Sequence, residues 1–411
     1  MTTTTETANV PTIPHGSQPE ELLDLADRVL APTYRRPRRL FTDGDGAVLR
    51  DADGVEFLDM TSGIAVLALG HRSETVARAL HESADRLVHI SNLYHSAPAI
   101  ELAARLVDLS FADSVFFANS GAEAIEAALK FARLVGGADR RGIVHFTGSF
   151  HGRTLGALAA TDRADYQEPF RPLAGGFRVA PWSSDEALGM IDDRTAAVVL
   201  EPIQGEMGVR VADDGWVRRV RRRCDEVGAL LLFDEIQCGL GRTGRLWAHE
   251  DLGVEPDILT LAKPLAGGLP IGAVLMTRQV ADALSPGMHG TTFGGGPLVT
   301  HVALRVLERV ADPRFLARVR ERGTHLGGRL EQLAELPEVE EIRGRGLMRG
   351  VRVSVPVGDV VEAAFEHRLL VVPSADNVIR ILPPLDVSEH ELDACVDRLH
   401  QAVVAARESA S

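Results

Sequence analysis

ALLLFDEIQCGLGRTG, residues 229–244, and ILTLAKPLAGGLPIGAVLM, residues 258–276, decide how this chain of 411 residues folds. Each opens on a near-continuous apolar run. The first run breaks at Asp234 and Glu235, the second at Lys263. Runs that are apolar at every position read as strands covered on both faces, the pattern of a mostly parallel sheet. The same signature recurs at VFFAN from Val115, then at GIVHFTG, AAVVLEP and IGAVLM, with helical stretches such as GWVRRVRRRCDEVG between them. Strand and helix thus alternate from about Val115 to Thr277, which predicts an α/β large domain with helices covering its sheet.

On the amino-terminal side, GAVLRDADGVEFLDM reads as a hairpin turning at Asp53-Gly54. On the carboxy-terminal side, helices are expected from about Leu298 to Leu336. An α+β segment follows: IRGRGLMRGVRV, a helix near Val360–His367, LLVVPS, NVIRILPPL and a last helix from Glu389. The expectation is two unequal domains. The larger covers 66–299; the smaller is an α+β domain built from both chain ends, 19–65 and 300–411. Residues 1–18, rich in Thr and Pro, read as a flexible tail.

Composition narrows the class. A net charge of −14 argues against a nucleic-acid partner. Arg218, Arg219, Arg221, Arg222 and Arg223 fall on one predicted helix and read as its solvated face. No run of eighteen apolar residues occurs, and the first residues lack the basic start and apolar stretch of a secretory signal. Cys224, Cys238 and Cys395 are far apart and odd in number, as expected of reduced thiols in a cytoplasmic protein. No His, Cys or carboxylate spacing suggests a zinc site, and no metal is expected.

Lysine usage is more pointed. Of 44 basic residues only Lys130 and Lys263 are lysines. Arginine replaces lysine well on a surface, but a guanidinium cannot form an imine. Lys130 lies in EAALKFAR, an ordinary helical pattern, and reads as a surface residue. Lys263 ends an apolar strand before a Gly-rich segment, where burial would lower its pKa and suit it to act as a nucleophilic amine.

Two further motifs join it. Asn119-Ser120-Gly121-Ala122-Glu123 lies between a strand and a long helix. Ser120 and Glu123 have the spacing of a capping box. The same free amides at a helix start, with Gly121 allowing close approach, would also hold a phosphate. Asp234 closes a buried strand at the carboxyl edge of the sheet, where ligands gather in open α/β folds. There it could cap a nearby helix, or pair with a protonated pyridine nitrogen. Asp234 and Lys263 then share one edge, and the three motifs together point to pyridoxal phosphate. Gly239, Gly241 and Gly244 in GLGRTG match a dinucleotide-binding pattern, but the strand ends five residues earlier and no clear helix follows.

NSGAEA, SFHGRTLGALAAT, LEPIQGE, LLFDEIQCGLGRTG, TLAKPLAGGLPIGA and HGTTFGGGPL occur in the order seen in class III (ω-amino) aminotransferases. The chain resembles the acetylornithine/succinylornithine branch most closely, from about Tyr34 to the last helix. The resemblance implies a pyridoxal-phosphate enzyme of fold type I, a homodimer with active sites shared between subunits. It makes Lys263 the Schiff-base lysine and proton carrier, Asp234 the partner of the ring nitrogen, and Gln237 a neighbour of the phenolic oxygen. Ser120, Gly121 and Ala122 would bind the phosphate, Thr292 would reach it from the partner subunit, and Phe150 would stack on the ring.

For substrates, the resemblance assigns Arg153 to the carboxylate remote from the reacting amine and Arg380 to the α-carboxylate of glutamate. Glu201 is expected to be the gate that neutralises Arg380 when an ω-amine is bound. The implied reaction moves the terminal amino group of an N-acetylornithine-like donor to 2-oxoglutarate, giving a semialdehyde and glutamate. Other donors remain open: ornithine, 4-aminobutyrate, diaminobutyrate and lysine. So does an aminomutase or racemase on the same fold, although neither needs the second carboxylate clamp. The chain departs from the family pattern at Gly296, at Ser73-Glu74, at Leu67 and at Met207. None of these is a cofactor-motif residue; Leu67 and Met207 are expected at the lip of the pocket.

Overall fold

In the computed structural model, which describes residues 18–410, seven strands form the central sheet. Their order is Ser114–Ala118, Gly272–Met276, Ile258–Leu261, Leu230–Asp234, Thr195–Leu200, Gly142–Phe146 and Phe177–Ala180. Neighbours run parallel except at Gly272–Met276, which is antiparallel to both of its own. The expected mostly parallel sheet is therefore present. The edge strand Phe177–Ala180 has no counterpart in the sequence reading: it is short and its Val179 is exposed, so no fully apolar run marks it.

The burial of this sheet follows from the residues chosen to cover it. On one face lies the helix Gly121–Gly136, whose buried side is mostly alanine and so packs closely on Ala197, Val199, Leu232 and Val274. On the other face Phe146 meets Trp216 edge-on, ring centroids 4.9 Å apart. Trp216 comes from the helix Asp214–Val227. Asp213 caps its start by accepting from the Trp216 N–H at 2.6 Å, and Gly228 ends it with φ 70° in the left-handed region, where a Cβ is unwelcome. The arginines of this helix are less free than expected: Arg221 donates to Asp257 at 2.7 Å and Arg219 to Asp185 at 3.0 Å.

The hairpin turning at Asp53-Gly54 is present, as Val48–Asp51 against Glu56–Asp59, with Phe41–Asp45 added on its outer side. Leu369–Leu370 runs parallel to Glu56–Asp59 and so ties the two chain ends together. A separate four-stranded antiparallel sheet takes Val339–Arg345, Met348–Val353, Val378–Ile381 and Val372–Ser374. The helix Glu389–Ala410 packs on Val357–Glu366 and Pro313–Glu331. The expected tail lies, apart from Gln18, outside the described residues. Among the described residues, no helix is long and apolar enough to cross a membrane.

Candidate active site

Parallel pairing puts the carboxyl ends of neighbouring strands on one edge of the sheet. Leu230–Asp234 and Ile258–Leu261 are such neighbours, with Asp234 opposite Thr260, so Asp234 and Lys263 emerge side by side. Both line one cavity of about 390 Å³, together with Ser120, Gly121, Ala122, Phe150, Glu201 and Gln237. Eight of the eleven residues singled out from sequence thus meet in one place.

Strand alternation splits the Asp234-Glu235 pair. Asp234 faces the cavity. Its Oδ2 meets His151 Nδ1 at 2.7 Å, and its Oδ1 accepts from the Ile236 N–H at 3.0 Å. Glu235 turns the other way, fully buried, and accepts from the N–H groups of Ala248 and His249 at 2.7 and 2.8 Å. Helix capping and ligand-facing carboxylate are therefore both realised, by adjacent residues. GLGRTG forms no dinucleotide loop: its Arg242 is buried and donates to the carbonyls of Leu347 and Pro383.

At the helix start, the Ser120 hydroxyl accepts from the Glu123 N–H at 3.2 Å. The Glu123 carboxylate closes on the Asn119 N–H at 2.6 Å, one residue further back than a capping box requires. The first amides of a helix have no intrahelical partner. Ser120 occupies only that of Glu123, which leaves Gly121 and Ala122 N–H to face the cavity. Gly152 presses against this start: a Cβ there would lie 2.9 Å from that of Ala122, and its φ of 140° favours glycine.

Burial lowers the pKa of the Lys263 amine, and Arg380 adds to that, while Glu206 opposes it. Among the described residues, no hydrogen bond or ion pair holds its Nζ. Lys130, by contrast, is an exposed helix residue whose Nζ lies 2.8 Å from His289 Nδ1.

The partner of Arg380 differs from the expected one. Arg380, 1% exposed, donates to Glu206 Oε1 at 2.5 Å and to Gln237 Oε1 at 2.8 Å, so its carboxylate partner is Glu206 and not Glu201. The reason lies in the chain path. Glu201 directly follows the strand Thr195–Leu200 and stays at the sheet edge, where its Oε1 accepts from the Phe150 N–H at 3.0 Å. Glu206 sits in the loop between Ile203–Gln204 and Arg210–Val211. That loop is sewn to the carboxy-terminal sheet: Ala375 N–H donates to the Glu206 carbonyl at 3.2 Å, and the Gly208 N–H to Ser374 Oγ at 2.9 Å. Burial, then the charge of Asp234, raises the Glu201 carboxyl well above its ordinary value. Burial would raise Glu206 too, but the Arg380 charge and hydrogen bond bring it below.

Three predicted residues do not line the cavity: Arg380, described above, Arg153 and Thr292. Arg153 is exposed, its guanidinium 3.5 Å above the Tyr166 ring. Thr292 is exposed and lines a second cavity with Asn119, Glu123 and Glu126. Of the departures, Met207 packs against Gly148, and Leu67 lies beside Gly268, which lines the main cavity. His151, Glu206 and Tyr166 were not singled out. His151 and Glu206 lie inside quoted motifs, but nothing local reveals a partner 83 or 174 positions away.

The cavity fits pyridoxal phosphate on its own chemistry. It offers a lone, part-buried amine, a buttressed carboxylate, an aromatic face at Phe150 and two unpartnered amides at a helix start. Fold and site together define a pyridoxal-phosphate-dependent transaminase of fold type I. The chain belongs to the family described as aminotransferase class-III, which it matches over residues 29–403. Acetylornithine aminotransferase of Rhodobacter capsulatus is 46% identical over 378 residues, 90% of this chain and 96% of that protein. The mitochondrial acetylornithine aminotransferase of Alnus glutinosa is 47% identical over 397 residues, 94% of this chain and 88% of that protein. Among solved structures, the N-acetylornithine aminotransferase of Stenotrophomonas maltophilia superposes with TM-score 0.82 at 38% identity, covering 95% of this chain and 100% of that one. The ornithine aminotransferase of Toxoplasma gondii gives 0.91 at 32% identity, with 96% of each chain covered.

Proposed function

We propose that this enzyme transfers the terminal amino group of N-acetylornithine to 2-oxoglutarate, yielding a semialdehyde and glutamate. The observation that carries the reading is the pairing of the buried Arg380 with Glu206, both close enough to Lys263 to act on its charge. A guanidinium paired with a carboxylate can be neutral toward one substrate and, where the pair opens, free to take the α-carboxylate of the other. An aminomutase or racemase has no use for that alternation. The relatives named acetylornithine aminotransferase support the choice of donor.

When bound, pyridoxal phosphate supplies an aldehyde for imine exchange and a ring that accepts electrons. Lys263 Nζ would hold that aldehyde and, as the free amine, would take a proton from the substrate carbon and return it. Burial keeps the amine ready for this by disfavouring its charged form. Asp234, steadied by His151, answers the positive ring nitrogen. The amides of Gly121 and Ala122, with Ser120, would take the phosphate, and Thr292 would complete that site from a partner subunit of a homodimer. Phe150 would cover the ring and Gln237 would lie by its phenolic oxygen, both residues lining the cavity. Arg153 takes the carboxylate remote from the reacting amine. The three unpaired cysteines suit a reducing, cytoplasmic setting.

Two measurements test this. Purified protein is expected to carry a visible absorbance that borohydride abolishes, leaving the pyridoxyl group on Lys263. Half-reactions with a panel of amines are expected to run fastest with N-acetylornithine. A greater kcat/KM for ornithine or 4-aminobutyrate would overturn the donor.

A further inference from the structure

Arg153 is unlike the other arginines around the site. Arg380 is held by Glu206, and Arg163 by Asp165 through two hydrogen bonds of 3.2 and 3.1 Å. Arg153 makes no hydrogen bond and no ion pair among the described residues. What it touches is aromatic: its Cζ lies 3.5 Å from the Tyr166 ring centroid and 5.8 Å from that of Phe150. At 3.5 Å a planar guanidinium rests on the ring face, and such a stack leaves its N–H edge open to a ligand. A bidentate carboxylate needs that open edge held in a fixed plane.

The platform is itself fastened. Tyr166 belongs to the short helix Ala164–Gln167. Gln167 Nε2 ties that helix down by donating to the carbonyls of Leu158 and Thr161 at 3.1 and 2.7 Å. The Tyr166 ring stands nearly perpendicular to that of Phe150, centroids 6.3 Å apart, and so links the platform to a residue lining the cavity. Arg163 Cζ lies 4.5 Å from the same ring, but Asp165 compensates its charge. Arg153 is therefore the cation on this ring that has no direct carboxylate partner among the described residues.

We propose that Tyr166 is the positioning residue for Arg153, and that its ring face selects substrates carrying a carboxylate remote from the reacting amine. The proposal rests on the reading of Arg153 as the clamp for that carboxylate. Without the ring, the guanidinium keeps its charge but loses its plane, so carboxylate binding weakens while the chemistry at Lys263 continues.

The test compares Tyr166→Leu, Tyr166→Phe and Arg153→Ala holoenzymes. Substrates are N-acetylornithine, glutamate and n-butylamine, which has no carboxylate. Tyr166→Leu is expected to raise KM for the first two on the order of tenfold, the scale of a lost cation–π stack, with kcat changed less than twofold. Its half-reaction with n-butylamine should match wild type, and Tyr166→Phe, which keeps the face, should restore KM. The double variant Arg153→Ala/Tyr166→Leu should be no worse than Arg153→Ala. An unchanged KM in Tyr166→Leu beside a raised one in Arg153→Ala overturns the role of Tyr166 and leaves the clamp standing. An unchanged KM in Arg153→Ala overturns the clamp and this proposal with it. Equal losses on all three substrates, or no recovery in Tyr166→Phe, would show a merely structural tyrosine.

Discussion

The floor of the cavity and its mouth are built on different principles. The floor is made of strand ends and a helix start within one sheet. Asp234 sits at the end of its strand, His151 is buried behind it, and Gly121 and Ala122 open a helix packed on the same strands. The mouth is assembled from pieces that share no element. Arg380 comes from the carboxy-terminal sheet, Glu206 from a hairpin loop, Arg153 from the segment after Gly152 and Tyr166 from a four-residue helix. A floor shared by every half-reaction gains from rigidity. A mouth that must admit two differently charged substrates needs contacts that can open.

The most severe break in this contrast is at the floor. Lys263→Ala should abolish turnover, by on the order of 10⁴-fold or more, for every amine alike, because no other group there can supply the amine. Circular dichroism should report a folded protein, and residual turnover near wild type would remove Lys263 from the chemistry.

The mouth should respond selectively. Glu206→Gln leaves Arg380 charged with no counter-ion. The expected result is a fall of about tenfold in kcat/KM for N-acetylornithine, with glutamate unchanged or improved. Glu201→Gln should treat both substrates alike, since its carboxylate holds the Phe150 N–H rather than Arg380. The reverse pattern from stopped-flow half-reactions would return the gate to Glu201.

A last test reads stability rather than turnover and probes what stiffens the floor. His145 is buried and bonded to Ser149, and burial, helped by the nearby His151, pushes its pKa down to about 3. The unfolded chain therefore takes up a proton near pH 6.5 that the folded protein refuses until about pH 3. Stability from this residue is fully present above pH 6.5 and is lost as pH falls toward 3, by up to about 1.4 kcal/mol per pH unit. Denaturant melts of His145→Gln should show a shallower acid slope than wild type. An identical slope would mean that His145 titrates normally.

The floor was legible in the sequence because its geometry is local. Unbroken apolar runs mark strands buried on both faces, parallel pairing fixes which ends share an edge, and Asp234 and Lys263 follow from those two facts. The helix start at Gly121 is likewise written in five consecutive residues. The edge strand Phe177–Ala180 escaped because partial exposure erases the apolar signal. Sequence by itself thus determined the sheet, the amine and the carboxylate, since periodicity and strand ends are properties of short segments. Tertiary structure alone decided that Glu206 rather than Glu201 meets Arg380, that His151 backs Asp234, and that Tyr166 lies under Arg153. LEPIQGE offers two glutamates five residues apart, and only the hairpin's attachment to the carboxy-terminal sheet brings one of them to a guanidinium 174 positions away. Such pairings depend on where separate segments come to rest, which no local pattern encodes.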